Sequence, residues 1–527
     1  MIKKPFTTLL AATMLLSGVT LTACSSDTKP SGSTPTTPTG TAAADTQKPT
    51  SKEEEVTLKF YFGGDKKSST DEVWKAVSDY VKSKGLNVKF TVNVIPFGDP
   101  YKEKLLVMSA SGDDWDMNYD GDWLAYRQMA SKGAYLGLND LLPKYAPNLN
   151  KKYQEQGTLA AATVNGQVVA LPWTMKMSQR PFVKWRADLT KKAGIEPAPG
   201  SIKTLEDLDN LAHQIRKAYP DMKVAFPVVP TVLSGFFELR DELNDLSAQG
   251  GNQLIVELND STFKVKALEQ TKTYSDMAKY AQKWYLDGII NKDVLVDKED
   301  PGPKFRNGKM LLANSSHEWA NAEENFSDKS SERSSSQLYP DKKFPNRTAL
   351  ANVVAINKNS KHPDLVLRFL DMMETDQKLY DLVQYGVEGK NYILDGKTAN
   401  YPAGMNATTS NYMEWGGQWA LWKPQFMRPN PTYKEGFWVK EAEFANDPSN
   451  ITNPLDGFFV VSDKIKNELA QRDQVQNELG RAIEAGAVKD ADKAVSEYIE
   501  KQKAAGLDRI IVEVQKQVDA FIAAKKK

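Results

Sequence analysis

Residues 56–94 constrain the fold more than any other stretch of this chain, because their hydrophobic period changes twice. Val56, Leu58, Phe60 and Phe62 alternate with Thr57 and Lys59 and run into Gly63-Gly64-Asp65, the pattern of a half-buried strand ending in a loop. Val73, Trp74, Val77, Tyr80 and Val81 then recur at helical spacing, after Ser69 and Thr70, which can cap, and before Gly85. Val88, Phe90, Val92 and Val94 alternate again. Strand, amphipathic helix and strand make a βαβ unit with a right-handed crossover, and hence an α/β fold. Ligands of such sheets gather beyond the carboxyl ends of the strands, which singles out the loops 63–66 and 96–101. Residues 55–527 exceed what one core organises, so at least two domains are expected.

The N-terminus is of a different kind. Lys3 and Lys4 precede an apolar stretch from Phe6 to Val19, and Leu21-Thr22-Ala23-Cys24 follows, the arrangement of a bacterial lipoprotein signal. The apolar stretch is too short to span a bilayer stably. The expectation is a signal peptide over residues 1–23, cleavage before Cys24, and a diacylglycerol on its thiol, each buried methylene contributing roughly 0.8 kcal/mol. The protein would then sit on the extracytoplasmic face of the cell membrane. Residues 25–54 contain no aliphatic side chain larger than alanine and cannot bury a core. With Cys24 they read as a disordered linker whose reach is on the order of 30 Å.

Charge and cysteine count exclude several classes. The chain carries 68 basic and 68 acidic side chains. Removing Lys3 and Lys4 with the signal leaves no basic excess, so no nucleic-acid partner is expected. One cysteine and three histidines rule out zinc sites of cysteine and histidine type. Lys525 to Lys527 read as a solvated chain end.

From here the chain resembles the extracytoplasmic solute-binding proteins of carbohydrate ABC importers, the maltose-binding-protein-like family, and within it the larger oligosaccharide-binding lipoproteins. Four stretches carry the resemblance: Phe62 to Lys66; Asn165 to Trp173, with Lys184 to Leu189 after it; Phe305 to Met310, with Trp319 a few residues on; and Asn346 to Met373. It implies a type II periplasmic-binding-protein-like fold, two α/β lobes joined by two or three crossing strands, with a C-terminal helical segment and a ligand cleft between the lobes. The first lobe would comprise residues 55–175 with 345–400, the second 176–344 with 401–527. It also implies an oligosaccharide ligand, an ABC permease as partner, membrane attachment through the lipid alone, a monomer, no cofactor, no metal and no catalysis. The final stripe Leu507, Ile510, Ile511, Val514, Val518, Phe521 and Ile522 reads as core packing.

A sugar site needs flat aromatic faces for the C–H faces of the rings, and carboxylates, amides or cations for the hydroxyls. Eleven tryptophans supply raw material. Trp74 and Trp185 are assigned to packing. The ligand-facing candidates are Asp65, Lys66, Tyr119, Asp120, Trp123, Trp173, Trp319, Tyr385, Glu388, Trp415, Trp419 and Arg428. Trp415-Gly416-Gly417-Gln418-Trp419 is the leading cluster, since paired glycines let backbone approach a ligand. Asp116 to Gly121 matches the first half of a calcium loop, but position twelve would be Arg127, a cation where the bidentate glutamate belongs. Catalysis has little support: His213, His317 and His362 sit in no triad-like context, and no Gly-x-Ser-x-Gly elbow occurs. A secreted carbohydrate-active hydrolase remains open, because sequence cannot show carboxylate spacing. So do a peptide-binding transport lipoprotein and a ligand-reporting partner of a membrane sensor.

Overall fold

The computed structural model describes residues 54–525 apart from 223–230, 298, 300 and 317–329. The opening βαβ unit forms as its periodicity requires: β1 (Val56–Gly63), α1 (Thr70–Ser83) and β2 (Val88–Ile95), with β1 and β2 parallel from Val56↔Val88 to Gly63↔Ile95. Leu58, Phe60 and Phe62 are fully buried on one face of β1, and Val73, Trp74, Val77 and Val81 bury one face of α1 against them. Two local expectations change. Ser69 makes no side-chain cap, so Asp71 and Glu72 in the first turn are what favour the helix start. Tyr80 lies off the buried stripe and donates its hydroxyl to Asp376.

β3 (Met117–Asp120) pairs in parallel with β1, after a helix over Asp99–Ser111. The strand Val353–Ile356 returns antiparallel to β3, and Leu171–Pro172 completes a five-stranded sheet in the order β2, β1, β3, 353–356, 171–172. A main core serves this first lobe, with a small cluster of Tyr385, Tyr392, Ala399 and Met413 beside it. Tyr412, Trp415, Ala420 and Leu421 belong to that core as well, although the boundary drawn at residue 400 puts them in the second lobe. Ring packing of Trp415 on Phe62 and Trp74 holds them there.

The second lobe carries two small antiparallel sheets. Pro181–Arg186 pairs with Leu312–Ser316 and Arg333–Gln337, and Leu254–Glu257 lies between Leu243–Asp245 and Lys266–Ala267. Trp185 is 1% exposed in the main core of this lobe, with the helices Leu205–Ala218, Lys272–Leu286 and Ala491–Ala504. Leu254 and Val256 face the other way, into a satellite core closed by the final helix, Leu507–Lys525. That helix buries Leu507, Ile510, Val514 and Val518, so its apolar stripe packs as expected.

Three chain segments pass between the lobes: 173–180, 338–352 and 422–454. The second and third pair as a short parallel ribbon, Phe344–Pro345 against Asn450–Ile451. Arg347 N–H donates to Met177 O at 2.9 Å, and Ser178 Oγ donates to Asn450 Oδ1 at 3.0 Å, so all three segments are hydrogen-bonded to one another. All these cores lie within the described residues 54–525.

Candidate ligand-binding site

Where the crossings leave the first lobe, aromatic side chains from four parts of the chain enclose a cavity of about 150 Å³, lined by Trp123, Trp173, Gln179, Arg347, Asn352, Trp419, Trp422, Tyr433 and Trp438. Trp123 comes from the loop after β3, Trp173 opens the first crossing, Arg347 and Asn352 lie on the second, and Tyr433 and Trp438 lie on the third. Trp419 stands in the 3-10 turn Gly417–Leu421, with Trp422 directly after it.

The rings are fixed at their edges and by one another. Trp173 Nε1 donates to Trp419 O at 2.6 Å, and Trp123 Nε1 donates to Ala351 O at 2.8 Å. Trp173 stacks on Trp422 at 5.1 Å, Trp438 meets Trp422 edge-on at 4.7 Å, and Trp419 stacks on Phe97 at 5.5 Å with 12° between planes. Such pairs favour offset or edge geometry and contribute about 0.5–1.5 kcal/mol beyond burial. The Arg347 guanidinium lies over the Trp173 ring at 5.4 Å. Trp123 remains 48% exposed, so a ring face is available to a ligand. The buried Trp438 Nε1 has no hydrogen-bond partner among the described residues. None of the nine lining residues is a carboxylate.

The structure brings together three of the sequence candidates, Trp123, Trp173 and Trp419, and places the other described candidates outside the cavity lining. Trp415 is fully buried; its Nε1 donates to Val383 O, and its ring is core. The glycines beside it let two loops interlock rather than admit a ligand. A Cβ on Gly64, at φ +149°, would stand 2.1 Å from Trp415 O, and one on Gly416, at φ +91°, would stand 2.7 Å from Gly64 Cα. Gln418 turns back so that its Oε1 accepts from Gly416 N–H.

Asp120 does not reach the cleft either. It is fully buried and accepts from Gly121 N–H, Ala125 N–H and the Tyr135 hydroxyl. Burial pushes its carboxyl up to about 7, against the lowering effect of those hydrogen bonds. Tyr119 is fully buried under Phe97 and Trp123, with its hydroxyl on Asn352 Oδ1, so it supports the cavity from below.

Tyr385 and Glu388 belong to a separate part of the first lobe, to which Arg428, on the third crossing, is tied. Arg428 makes a two-armed pair with Asp381 at 2.9 and 2.7 Å, and its backbone N–H donates to the Tyr385 hydroxyl, while Glu388 is exposed. Asp65 and Lys66 are exposed on the loop after β1, outside the cavity lining, with Lys66 paired to Asp71 at 2.9 Å. Trp319 and His317 lie outside the described residues. The calcium-like loop spends its first ligand on the fold: Asp116 accepts from Lys59 N–H and from Ser360 Oγ. Among the described residues, no three His, Cys, Asp or Glu side chains are grouped to hold a metal.

Sequence reasoning missed Arg347, Asn352, Gln179, Tyr433 and Trp438 as lining residues. The aromatic density from Trp415 to Trp438 was the available signal, and Phe97 lies in the 96–101 loop already marked.

A family model described as bacterial extracellular solute-binding protein matches residues 65–378, and a second, described as a domain of unknown function, matches residues 454–523. A carbohydrate ABC transporter substrate-binding protein of Streptococcus pneumoniae serotype 4 is 25% identical over 521 residues, covering 92% of this chain and 95% of that protein. The crystal structure of the N-glycan transport solute binding protein from S. pneumoniae superposes with a TM-score of 0.72 at 22% identity, covering 89% of this chain and 100% of that one. In complex with Man5GlcNAc the same protein gives 0.61 at 23% identity, covering 90% and 100%. The fold is accordingly the two-lobed type II periplasmic-binding architecture.

Proposed function

We propose a function whose premise is family membership: the chain belongs to the bacterial extracellular solute-binding proteins. In this reading it is lipid-anchored at Cys24 on the extracytoplasmic face of the cell membrane, with residues 1–23 as signal peptide and 24–54 as leash. It captures an oligosaccharide between its lobes and delivers it to the permease of an ABC importer. The lobes that close are residues 54–172 with 353–421, and 181–337 with 455–525.

The observation that carries this reading is the aromatic cavity at the crossings. Trp123 and the half-buried Trp419 offer flat faces on which a sugar ring can lose its C–H faces from water, each Å² of apolar surface contributing about 25 cal/mol, while Trp173, stacked on Trp422, backs them. Arg347, Gln179 and Asn352 supply donors and acceptors for hydroxyls that would otherwise be buried unpaired. Rotation of one lobe about the three crossings covers the exposed face of Trp123 and completes desolvation of the ligand. No bond is made or broken. None of the described lining residues is a carboxylate of the kind that glycoside hydrolysis pairs, which supports capture over cleavage.

The test is a thermal-shift screen of residues 25–527 against oligosaccharides, simple sugars, peptides and calcium, with product analysis of the same mixtures. A raised melting temperature with one oligosaccharide class and no cleavage supports the reading, since a ligand of the folded state alone stabilises it. Cleavage, or shifts with peptides or calcium only, overturns it.

A further inference from the structure

The loop 454–458 opens the segment whose family model carries no functional description, and both lobes hold it. On the second-lobe side, Leu455 and Phe458 are 0% and 3% exposed in the satellite core, and the Phe458 ring meets Phe521 of the final helix at 5.5 Å. Lys525 Nζ, at the end of that helix, donates to the carbonyls of Pro454 and Asp456 at 3.1 and 3.0 Å. On the first-lobe side, a guanidinium N–H of Arg127 donates to Phe458 O at 3.0 Å, and another guanidinium nitrogen stands 3.5 Å from Asp122. The backbone at Gly457 runs so close to the first-lobe residue Ala161 that a Cβ would stand 3.1 Å from its Cα. Only 17% of the Arg127 side chain and 7% of the Asp122 side chain are exposed. Charges so far out of water are costly unless their partners stay in place.

We propose that residues 454–458 form a strap that sets the resting separation of the lobes, with Arg127 the positioning residue that fastens it to the first lobe. The crossings join the lobes covalently and permit rotation. A hydrogen bond from one lobe to a loop rooted in the core of the other is kept in some orientations and lost in the rest, so it narrows the range the lobes sample. The strap acts before any ligand arrives and goes beyond the capture reading, because it holds whatever the cleft binds.

The experiment uses residues 25–527, which contain no cysteine and retain every core. Cysteines introduced at the exposed positions Lys132 on the first lobe and Lys217 on the second carry spin labels, and the ligand-free distance distribution is measured. The expected result is a broader distribution in Arg127→Ala than in the parent, and a smaller broadening in Lys525→Ala. An unchanged distribution in a folded Arg127→Ala overturns the proposal, and so does a lower melting temperature without broadening, which is what a merely structural role gives. Should Arg127→Ala fail to fold, Asp122→Asn removes the carboxylate beside the guanidinium at constant size, and the same readout decides.

Discussion

Two aromatic clusters of this protein have nearly the same ring spacing and opposite roles. In the first-lobe core, Phe60, Trp74, Phe90, Phe369 and Trp415 sit with centroids 4.7–6.3 Å apart; in the cavity, Trp173, Trp422, Tyr433 and Trp438 sit 4.7–6.1 Å apart. The difference lies in what carries the rings. Phe60, Trp74 and Phe90 project from paired strands and an amphipathic helix that cover them on every side. The cavity rings project from crossing segments and turns, whose backbones bond to one another; Trp173, Trp422 and Trp438 are buried as a packed base, and Trp419, Tyr433 and the exposed Trp123 keep open surface. Residue type and neighbouring glycines do not tell the clusters apart; the supporting backbone does.

Trp415→Ala tests the core side and carries the largest expected effect, a loss of about 3–5 kcal/mol of folding stability in denaturant titrations. If that variant kept its stability and lost only ligand, the division between the clusters would fall. The next effect concerns Asp120, at the end of β3. The unfolded chain ionises it near its ordinary value of 3.8 and the folded chain near 7. Between those values the folded state holds a proton that the unfolded state has released, so stability falls as pH rises through that window. Asp120→Asn should flatten this part of a melting temperature against pH profile; an unaltered slope would mean that Asp120 ionises normally. Trp419→Ala tests the cavity side, with affinity for the oligosaccharide found by screening weakened by about 1–3 kcal/mol and the unfolding midpoint held, as calorimetry and melting can show together. Lys66→Gln is expected to change least. Its partner Asp71 is 78% exposed, so stability should move by about 0.5 kcal/mol or less, and affinity not at all. A clear loss of affinity there would extend the site beyond the aromatic cavity.

Local periodicity made β1, α1 and β2 readable residue by residue, and the final helix likewise. What stayed hidden depends on contacts between distant parts of the chain. Gly64 and Gly416 exclude side chains for each other's sake, and nothing near either one announces the other. All four residues of β3 are buried, so alternation could not say which way Asp120 points. Arg428 looked free to bind a ligand because Asp381, its partner, lies 47 positions away. Trp123, Trp173 and Trp419 were found because they flank a strand end, a lobe crossing and a turn, where a fold of this class exposes side chains.

The parallel pairing of Phe344–Pro345 with Asn450–Ile451 has a mechanical consequence. A lone strand between two bodies swivels as well as bends, whereas a ribbon bonded edge to edge resists twisting and flexes across its flat face. With the first crossing tied to it through Met177 and Ser178, the junction behaves as a leaf spring with one soft axis. The lobe rotation proposed above would then run mainly along a single angular coordinate, which one well-placed pair of probes could follow.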